Sequence, residues 1–550
     1  MKSLYRHLAL VALAASPLAA QMPANASARI DSIFATYATN SSPGCIVGVG
    51  QAGKQIYAKA YGMANLEYNV PLTPESISES GSVAKQFTAA ALALLQLEGK
   101  LSIDDDISKY LPEVPDFGQR ITIRNLLNHT SGIRDQWAMW GLADRAPGSE
   151  VHTIPEVMDL VHRQRELNFP VGSEYLYSNA GYVLASVIVT RVSGMPFAHF
   201  TQERLFKPLG MNHTQWRDDY RRIVPNRATA YSREGGSWLQ NMPFTMVHGN
   251  GGLLSTVGDW LTWNDALDRG LLGKSELTRM LETRGKLANG RTLEYALGLT
   301  ITEARPGIRE IGHGGSTAGY RTYLARYPEA NKLSIALLCN AANANATALA
   351  RRVAGVFLPA AVANADTTSS RVPADERTRV AGTYRNPVSD DWFSITPVGE
   401  GLQVTGLGTD PLIFQSPGSY RARSGRQLRF EPMQGSVRQV VVSTREGDTT
   451  TFVIAKRPEL SPSQLAEYAG DYYSPELGST IRVRVDSTRL LLRTSPDEEV
   501  ILVPMYPDGF RVGPSGATGR FVRDERGRIK ELRAFAGRAR NVLFQRVATN

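Results

Sequence analysis

Cysteine is nearly missing from this chain: there are two in 550 residues, Cys45 and Cys339. So low a count excludes a disulfide framework and a zinc-ribbon site. Both lie in apolar, strand-like stretches. Two buried free thiols are the simpler expectation, and a single bridge requires the two strands to be neighbours. Histidine is scarce as well, eight in all, and none falls in a His-Glu-x-x-His pattern, which removes a common zinc-hydrolase signature. Gly-x-Ser-x-Gly is absent, so a Ser-His-Asp α/β-hydrolase would lack its nucleophile elbow. Beyond the N-terminal region, no stretch reaches the ~18 uncharged apolar residues of a membrane helix.

The charge surplus is +9, a balance that attracts anionic polymers or membrane surfaces but identifies no partner. The basic residues are dispersed among acidic ones, as in Arg523-Asp524-Glu525-Arg526. No aromatic-rich RNA motif or helix-turn-helix accompanies them, so nucleic acid is excluded as a partner. With 42% hydrophobic and 21% charged residues the chain is expected to fold, into two to four domains.

Lys2 and Arg6 precede the apolar run Leu8 to Leu13, followed by small residues ending at Ala26. This reads as a cleaved secretory signal over residues 1–26, and the mature protein is expected to be exported, periplasmic or extracellular. Residues 27–362 mix long helical patterns with short apolar runs. A small, polar, proline-containing linker is expected over 363–376. The texture then changes to short alternating runs, such as Ile481-Arg482-Val483-Arg484-Val485, the signature of antiparallel β structure. Ala381-Gly382-Thr383-Tyr384 recurs as Ala469-Gly470-Asp471-Tyr472, and Arg429-Phe430 recurs as Arg520-Phe521. The repeat predicts two copies of one small barrel or sandwich, over 377–458 and 459–550.

Three motifs carry chemistry. In Gly81-Ser82-Val83-Ala84-Lys85, the three-residue spacing puts Ser82 and Lys85 on one face at the start of a buried helix, where an amine can take the hydroxyl proton. Ser-x-x-Lys alone occurs by chance on the order of once in a chain of this length, so it needs company. The second motif, Tyr177-Ser178-Asn179, offers a phenol that neighbouring ammonium groups would make easier to ionise, and an amide to hold Lys85 or a substrate carbonyl. In the third, His313-Gly314-Gly315-Ser316, the glycines let a substrate lie against a strand edge. The Ser316 N–H can pair with that of Ser82 as an oxyanion hole, and His313 can bind a polar substrate group.

Together, in this order and at these separations, the motifs resemble the active-site triplet of the penicillin-binding and class C β-lactamase superfamily. Ile123 to Gly132, Pro208 to Met211 and Gly251 to Thr256 are similar to its supporting stretches. The resemblance covers residues 30 to 345. It implies an α/β (α+β) transpeptidase-like fold, an antiparallel sheet flanked by helices with an all-helical subdomain, followed here by two antiparallel β-barrel domains. It implies catalytic Ser82, Lys85 and Tyr177, substrate-binding Asn179, His313, Gly315 and Ser316, a small-molecule or peptide substrate, and no metal or cofactor. His129 reads as a loop brace, and Thr256 with Asp259 as a capping box.

His313 stands where most members carry lysine, so the cation that grips a terminal carboxylate is missing or pH-dependent. A His-Gly-Gly motif followed by two barrels is similar to the D-aminopeptidase family, in which a loop from the last barrel can enter the cleft. The expected activity is hydrolysis of amide bonds in small peptides or amino-acid amides through a serine acyl-enzyme. The alternatives are a carboxylesterase, a β-lactamase or DD-peptidase, and a non-enzymatic cell-wall peptide sensor. The barrel interiors are expected to be filled by side chains.

Overall fold

The structure, a computed structural model, describes residues 22–548 apart from 146–147, 149, 361–370, 407–409, 423–424, 432–437, 444–448, 495–498 and 514–515. The expected signal segment falls mostly outside the described residues, and the expected linker partly so.

The N-terminal β strands Cys45–Gln51 and Lys54–Tyr61 join four later ones in a six-stranded antiparallel sheet. In spatial order the strands are Thr300–Arg305, Ile308–Thr317, Tyr320–Tyr327, Leu333–Cys339, Cys45–Gln51 and Lys54–Tyr61. The Leu333–Cys339 strand is buried along its whole length, as its unbroken apolar sequence requires. Successive side chains serve opposite faces. Val47, Val49, Ile335 and Leu337 meet the helices Ala26–Ile33 and Ala346–Phe357, while Ile46, Ala336 and Leu338 meet the layer built on Val257–Arg269 and Lys85–Leu97.

The Lys85–Leu97 helix, KQFTAAALALLQL, is rich in Ala and Leu, which form helices readily. It is buried on every side from Lys85 to Leu95. Packed against it, Asn179–Ser193 belongs to the helical region that also contains Ile123–Leu127 and Ile154–His162.

Two expectations need correction here. Cys45 and Cys339 are not free thiols but a disulfide. Their strands are neighbours, and the register sets the two residues directly opposite each other with Cα atoms 4.0 Å apart. At Thr256 only half of the capping box forms: its side chain accepts from Asp259 N at 3.2 Å. The Asp259 carboxylate turns away to accept from His213 N and the Thr214 hydroxyl.

The repeat resolves into two closed eight-stranded antiparallel barrels, Gly382 to Ile454 and Gly470 to Arg546. Equivalent residues do the same work in each. Tyr384 donates to Val380 O at 2.9 Å, and Tyr472 donates to Tyr468 O at 2.8 Å. Phe430 and Phe521 then meet these rings edge-on, each at 5.6 Å. Buried Tyr384, Phe393, Ile395, Leu402 and Val440 form the core of the first barrel.

The last barrel is docked on the helical region by an ion pair sealed from water. Arg134 and Glu476 are 0% and 2% exposed, and the guanidinium also donates to Arg540 O at 3.0 Å. Among the described residues no single helix is long and apolar enough to cross a membrane.

Candidate active site

Ser82 sits in the tight turn Gly81–Ala84 that opens the buried helix. The turn needs a left-handed residue at Gly81, φ 50°, and a Cβ there would come within 2.5 Å of Ser316 N. The Lys85 ammonium, fully buried, reaches three oxygens: Asn250 O at 2.6 Å, Asn179 Oδ1 at 2.8 Å and Ser82 Oγ at 3.1 Å. Desolvation pulls its pKa well below the ordinary lysine value, opposed by the Asp135 carboxylate and reinforced by Arg538. A neutral amine has two N–H bonds and one lone pair. Asn179 and Asn250 take the two donors, which leaves the lone pair facing the Ser82 hydroxyl.

Asn179 begins the helix Asn179–Ser193 and is aimed by Asp135, whose Oδ2 accepts from both the backbone N and Nδ2 of Asn179 at 2.7 Å. The other carboxylate oxygen caps the helix Gln136–Leu142 through Trp137 N and Ala138 N. Tyr177 lies beside this pair, its ring centroid 4.8 Å from Lys85 Nζ. Its hydroxyl is buried and, among the described residues, has no group in hydrogen-bond geometry. Burial raises its pKa above that of an ordinary phenol, with Ser82 opposing. The expectation that ammonium neighbours make Tyr177 easy to ionise is therefore reversed, because desolvation of the phenolate outweighs them. His129 braces the ring from behind at 4.1 Å and accepts from Ser178 N through Nδ1.

The third motif forms the end of the strand Ile308–Thr317, which hairpins through Ala318 and Gly319 into Tyr320–Tyr327. With Thr317 and Tyr320 closing that two-residue turn, the alternation of an antiparallel ladder points the Ser316 N–H away from its partner strand, toward Gly81. At Gly315 a Cβ would lie 2.0 Å from Ser80 O, so nothing larger than glycine lets strand and turn meet. His313 is committed on both sides: Nδ1 donates to Gly314 O at 2.6 Å, leaving Nε2 to accept from the Tyr295 hydroxyl at 3.0 Å. Burial and the neighbouring Lys85 push its pKa down to about 4, so it is neutral at physiological pH.

All seven residues singled out from the sequence converge here. Ser82, Tyr177, Asn179, His313, Gly315 and Ser316 line one cleft of about 910 Å³, and Lys85 lies directly beneath Ser82. Sequence reasoning missed Asp135, Asn250 and Tyr295, which look like ordinary loop residues until the fold brings them in. It also missed Arg538, which reaches the cleft from the tip of the last barrel's final hairpin, between Ile529–Ala536 and Ala539–Arg546. Its guanidinium stands 4.7 Å from the Tyr177 ring centroid.

A serine hydrolase built on a β-lactamase-like scaffold is what this fold and site define. Residues 30–358 match the Beta-lactamase family model, and the chain belongs to that family. It is similar to a D-aminopeptidase of Brucella anthropi, 26% identical over 527 residues, 92% of this chain and 95% of that protein. It also resembles Penicillin-binding protein 4* of Bacillus subtilis (strain 168), 28% identical over 332 residues, 58% of this chain and 72% of that one. Among solved structures, the octameric penicillin-binding protein homologue from Pyrococcus abyssi superposes with a TM-score of 0.55 at 24% identity, covering 78% of this chain and 99% of that one. The D-amino acid amidase from Ochrobactrum anthropi SV3 gives 0.51 at 22% identity, covering 60% and 98%.

Proposed function

We propose that the protein is an exported amidase that hydrolyses small peptides or amino-acid amides through an acyl-enzyme on Ser82. The observation that carries the reading is the environment of Lys85: a buried amine of depressed pKa, its two donors engaged by Asn179 and Asn250, its lone pair free for the Ser82 proton.

The chemistry then follows in balanced steps. The Ser82 proton passes to Lys85 as Oγ bonds to the carbonyl carbon, and the oxyanion rests between the N–H groups of Ser82 and Ser316. The tetrahedral intermediate collapses with cleavage of the C–N bond. The leaving nitrogen takes a proton from the neutral Tyr177 hydroxyl, and Lys85 returns one to Tyr177. Water then attacks the acyl carbon as Lys85 takes its proton, and collapse breaks the bond to Ser82 Oγ, which recovers that proton as the acid leaves. Asn179 and Asn250 position Lys85, and His313, held neutral by burial and the neighbouring Lys85 and oriented by its contacts to Tyr295 and Gly314, shapes the cleft wall.

Export is supported by the N-terminal sequence and by the Cys45–Cys339 disulfide, a bond typical of oxidising compartments. The test of the activity is a panel of D- and L-aminoacyl amides, short-chain esters and a chromogenic cephalosporin, run on the wild type and on Ser82→Ala. The reading expects amide turnover that disappears in Ser82→Ala while the fold persists. Turnover confined to esters would turn the assignment to a carboxylesterase, and an active Ser82→Ala protein would end it.

A further inference from the structure

The charge lining the cleft is one-sided. Among the described residues that line it, the only carboxylate is Glu79, and Glu79 is already spent. It is fully buried and accepts from Arg217 at 2.8 and 2.9 Å, with Arg227 at 3.4 Å. The cations are less committed. Among the described residues, Arg321, beside the Ala318 turn, donates only to the carbonyls of Ala318 and Tyr320. Arg538 keeps a side chain 47% exposed, and its nearest carboxylate oxygen is Asp135 Oδ2 at 3.9 Å. That oxygen already holds the backbone and side-chain nitrogens of Asn179. His313 is neutral.

The backbone of Arg538 is firmly placed, and its head lies over the Tyr177 ring. Asn168 clasps the hairpin tip from both sides: its Nδ2 donates to Arg538 O at 2.9 Å and its Oδ1 accepts from Arg540 N at 2.8 Å. Asp135 N donates to the same Arg538 carbonyl at 3.2 Å. Arg540 adds an ion pair with Glu174 at 2.9 Å, and Asn541 Nδ2 donates to Glu166 at 2.7 Å. A clasp of this kind fixes a residue whose side chain then extends over Tyr177 into the cleft.

We propose that Arg538 is a specificity-determining residue that receives a carboxylate of the substrate, and that among amide substrates the enzyme therefore prefers those that carry a carboxylate to their neutral-amide counterparts. A guanidinium offers a carboxylate a charged, two-pronged donor set, and among the described lining residues no uncommitted carboxylate competes for it. The inference deepens the Ser82 reading and rests on it for the bond cleaved. The carboxylate belongs either to the leaving group, as in a dipeptide, or to the acyl side chain.

The test separates the binding claim from the chemistry by measuring affinity in Ser82→Ala, which needs no turnover. Isothermal titration would compare N-acetyl-D-alanine with N-acetyl-D-alaninamide, a pair differing only in that charge. The proposal expects the acid to bind about tenfold more tightly, a difference of the size one charge-assisted contact supplies. In Ser82→Ala/Arg538→Ala the ratio should fall to about one, and Arg538→Lys in the same background should restore part of it. Melting temperature reports folding independently, because the Asn168 clasp uses only the Arg538 backbone. In the wild type, kcat/KM for D-alanyl-D-alanine against its amide, and for D-glutamyl against D-glutaminyl p-nitroanilide, identifies which carboxylate is read. Equal affinity for acid and amide, or a ratio that Arg538→Ala leaves intact, overturns the proposal. Preserved acid preference with no turnover in the wild type would sink the Ser82 chemistry and leave Arg538 standing.

Discussion

Asp135 decides which way Asn179 faces. By accepting from the Asn179 backbone and Nδ2 at 2.7 Å each, it leaves only the amide oxygen for Lys85, 2.8 Å away. Replacing Asp135 by alanine frees the amide to rotate and uncaps the helix Gln136–Leu142. We expect kcat/KM to fall roughly 10- to 100-fold, the worth of one lost charge-assisted contact, and the cap to cost about 1 kcal/mol in urea unfolding. Asp135→Asn, which keeps one oxygen acceptor, should lie between the two proteins in both measurements.

The depressed Lys85 pKa sets the acid limb of the pH profile. Lys85 must be neutral to accept the Ser82 proton, so kcat/KM should rise as pH climbs through that lowered pKa and level off well below the ordinary lysine range. Lys85→Arg places a group there that stays charged at every accessible pH, and it should be inactive throughout the profile. A Lys85→Arg enzyme with wild-type activity at pH 8 would remove the amine from the mechanism.

Buried neutral histidine makes the fold sensitive to acid. His313 and His248 both have pKa values pushed down to about 4, below the unfolded value of 6.5. Between those two pH values the unfolded chain binds protons that the native state refuses, so stability should fall as pH drops from about 6.5 toward 4. Urea unfolding of wild type and His313→Gln at pH 7 and pH 4.5 isolates the contribution. The wild type should lose more stability between the two conditions than the variant does.

The Arg134–Glu476 pair, shut away between helical region and last barrel, should be sensitive to loss of either partner. Glu476→Gln leaves the buried guanidinium only the more distant, half-exposed Glu166 at 4.0 Å, and we expect a destabilisation of about 3 kcal/mol. The neighbouring clasp predicts a subtler effect. Asn168→Ala should leave the melting temperature within a few degrees while lowering the discrimination between acid and amide substrates, because the hairpin that carries Arg538 loses its hold.

The parts legible in the sequence share one property: they are local or repeated. Ser82 and Lys85 meet because three residues of helix bring them together, and the barrels were visible because Tyr384 and Tyr472 recur in the same setting. Convergence of Tyr177 and His313 on Ser82 is the exception, expected only from the resemblance of the three motifs to the penicillin-binding and class C β-lactamase triplet. Asp135 and Arg538 left no trace, since a carboxylate after a Ser-Gly-Ile-Arg turn and an arginine in a two-residue hairpin have ordinary surface explanations. The disulfide was hidden for the same reason: pairing Cys45 with Cys339 spans 294 residues and depends on strand order. The Tyr177 error was one of balance, because burial cannot be read from a tripeptide and here outweighs the neighbouring charges.

The most direct test of the account is the rate at which Ser82 becomes acylated, followed across pH by intact-mass spectrometry with a slowly turned-over acylating probe and located by peptide mapping. The account predicts a single adduct on Ser82, formed readily at neutral pH in the wild type and slowed by about a thousandfold or more in Lys85→Met, the scale expected when a general base is removed. An adduct on another residue, or wild-type acylation rates in Lys85→Met, would contradict it.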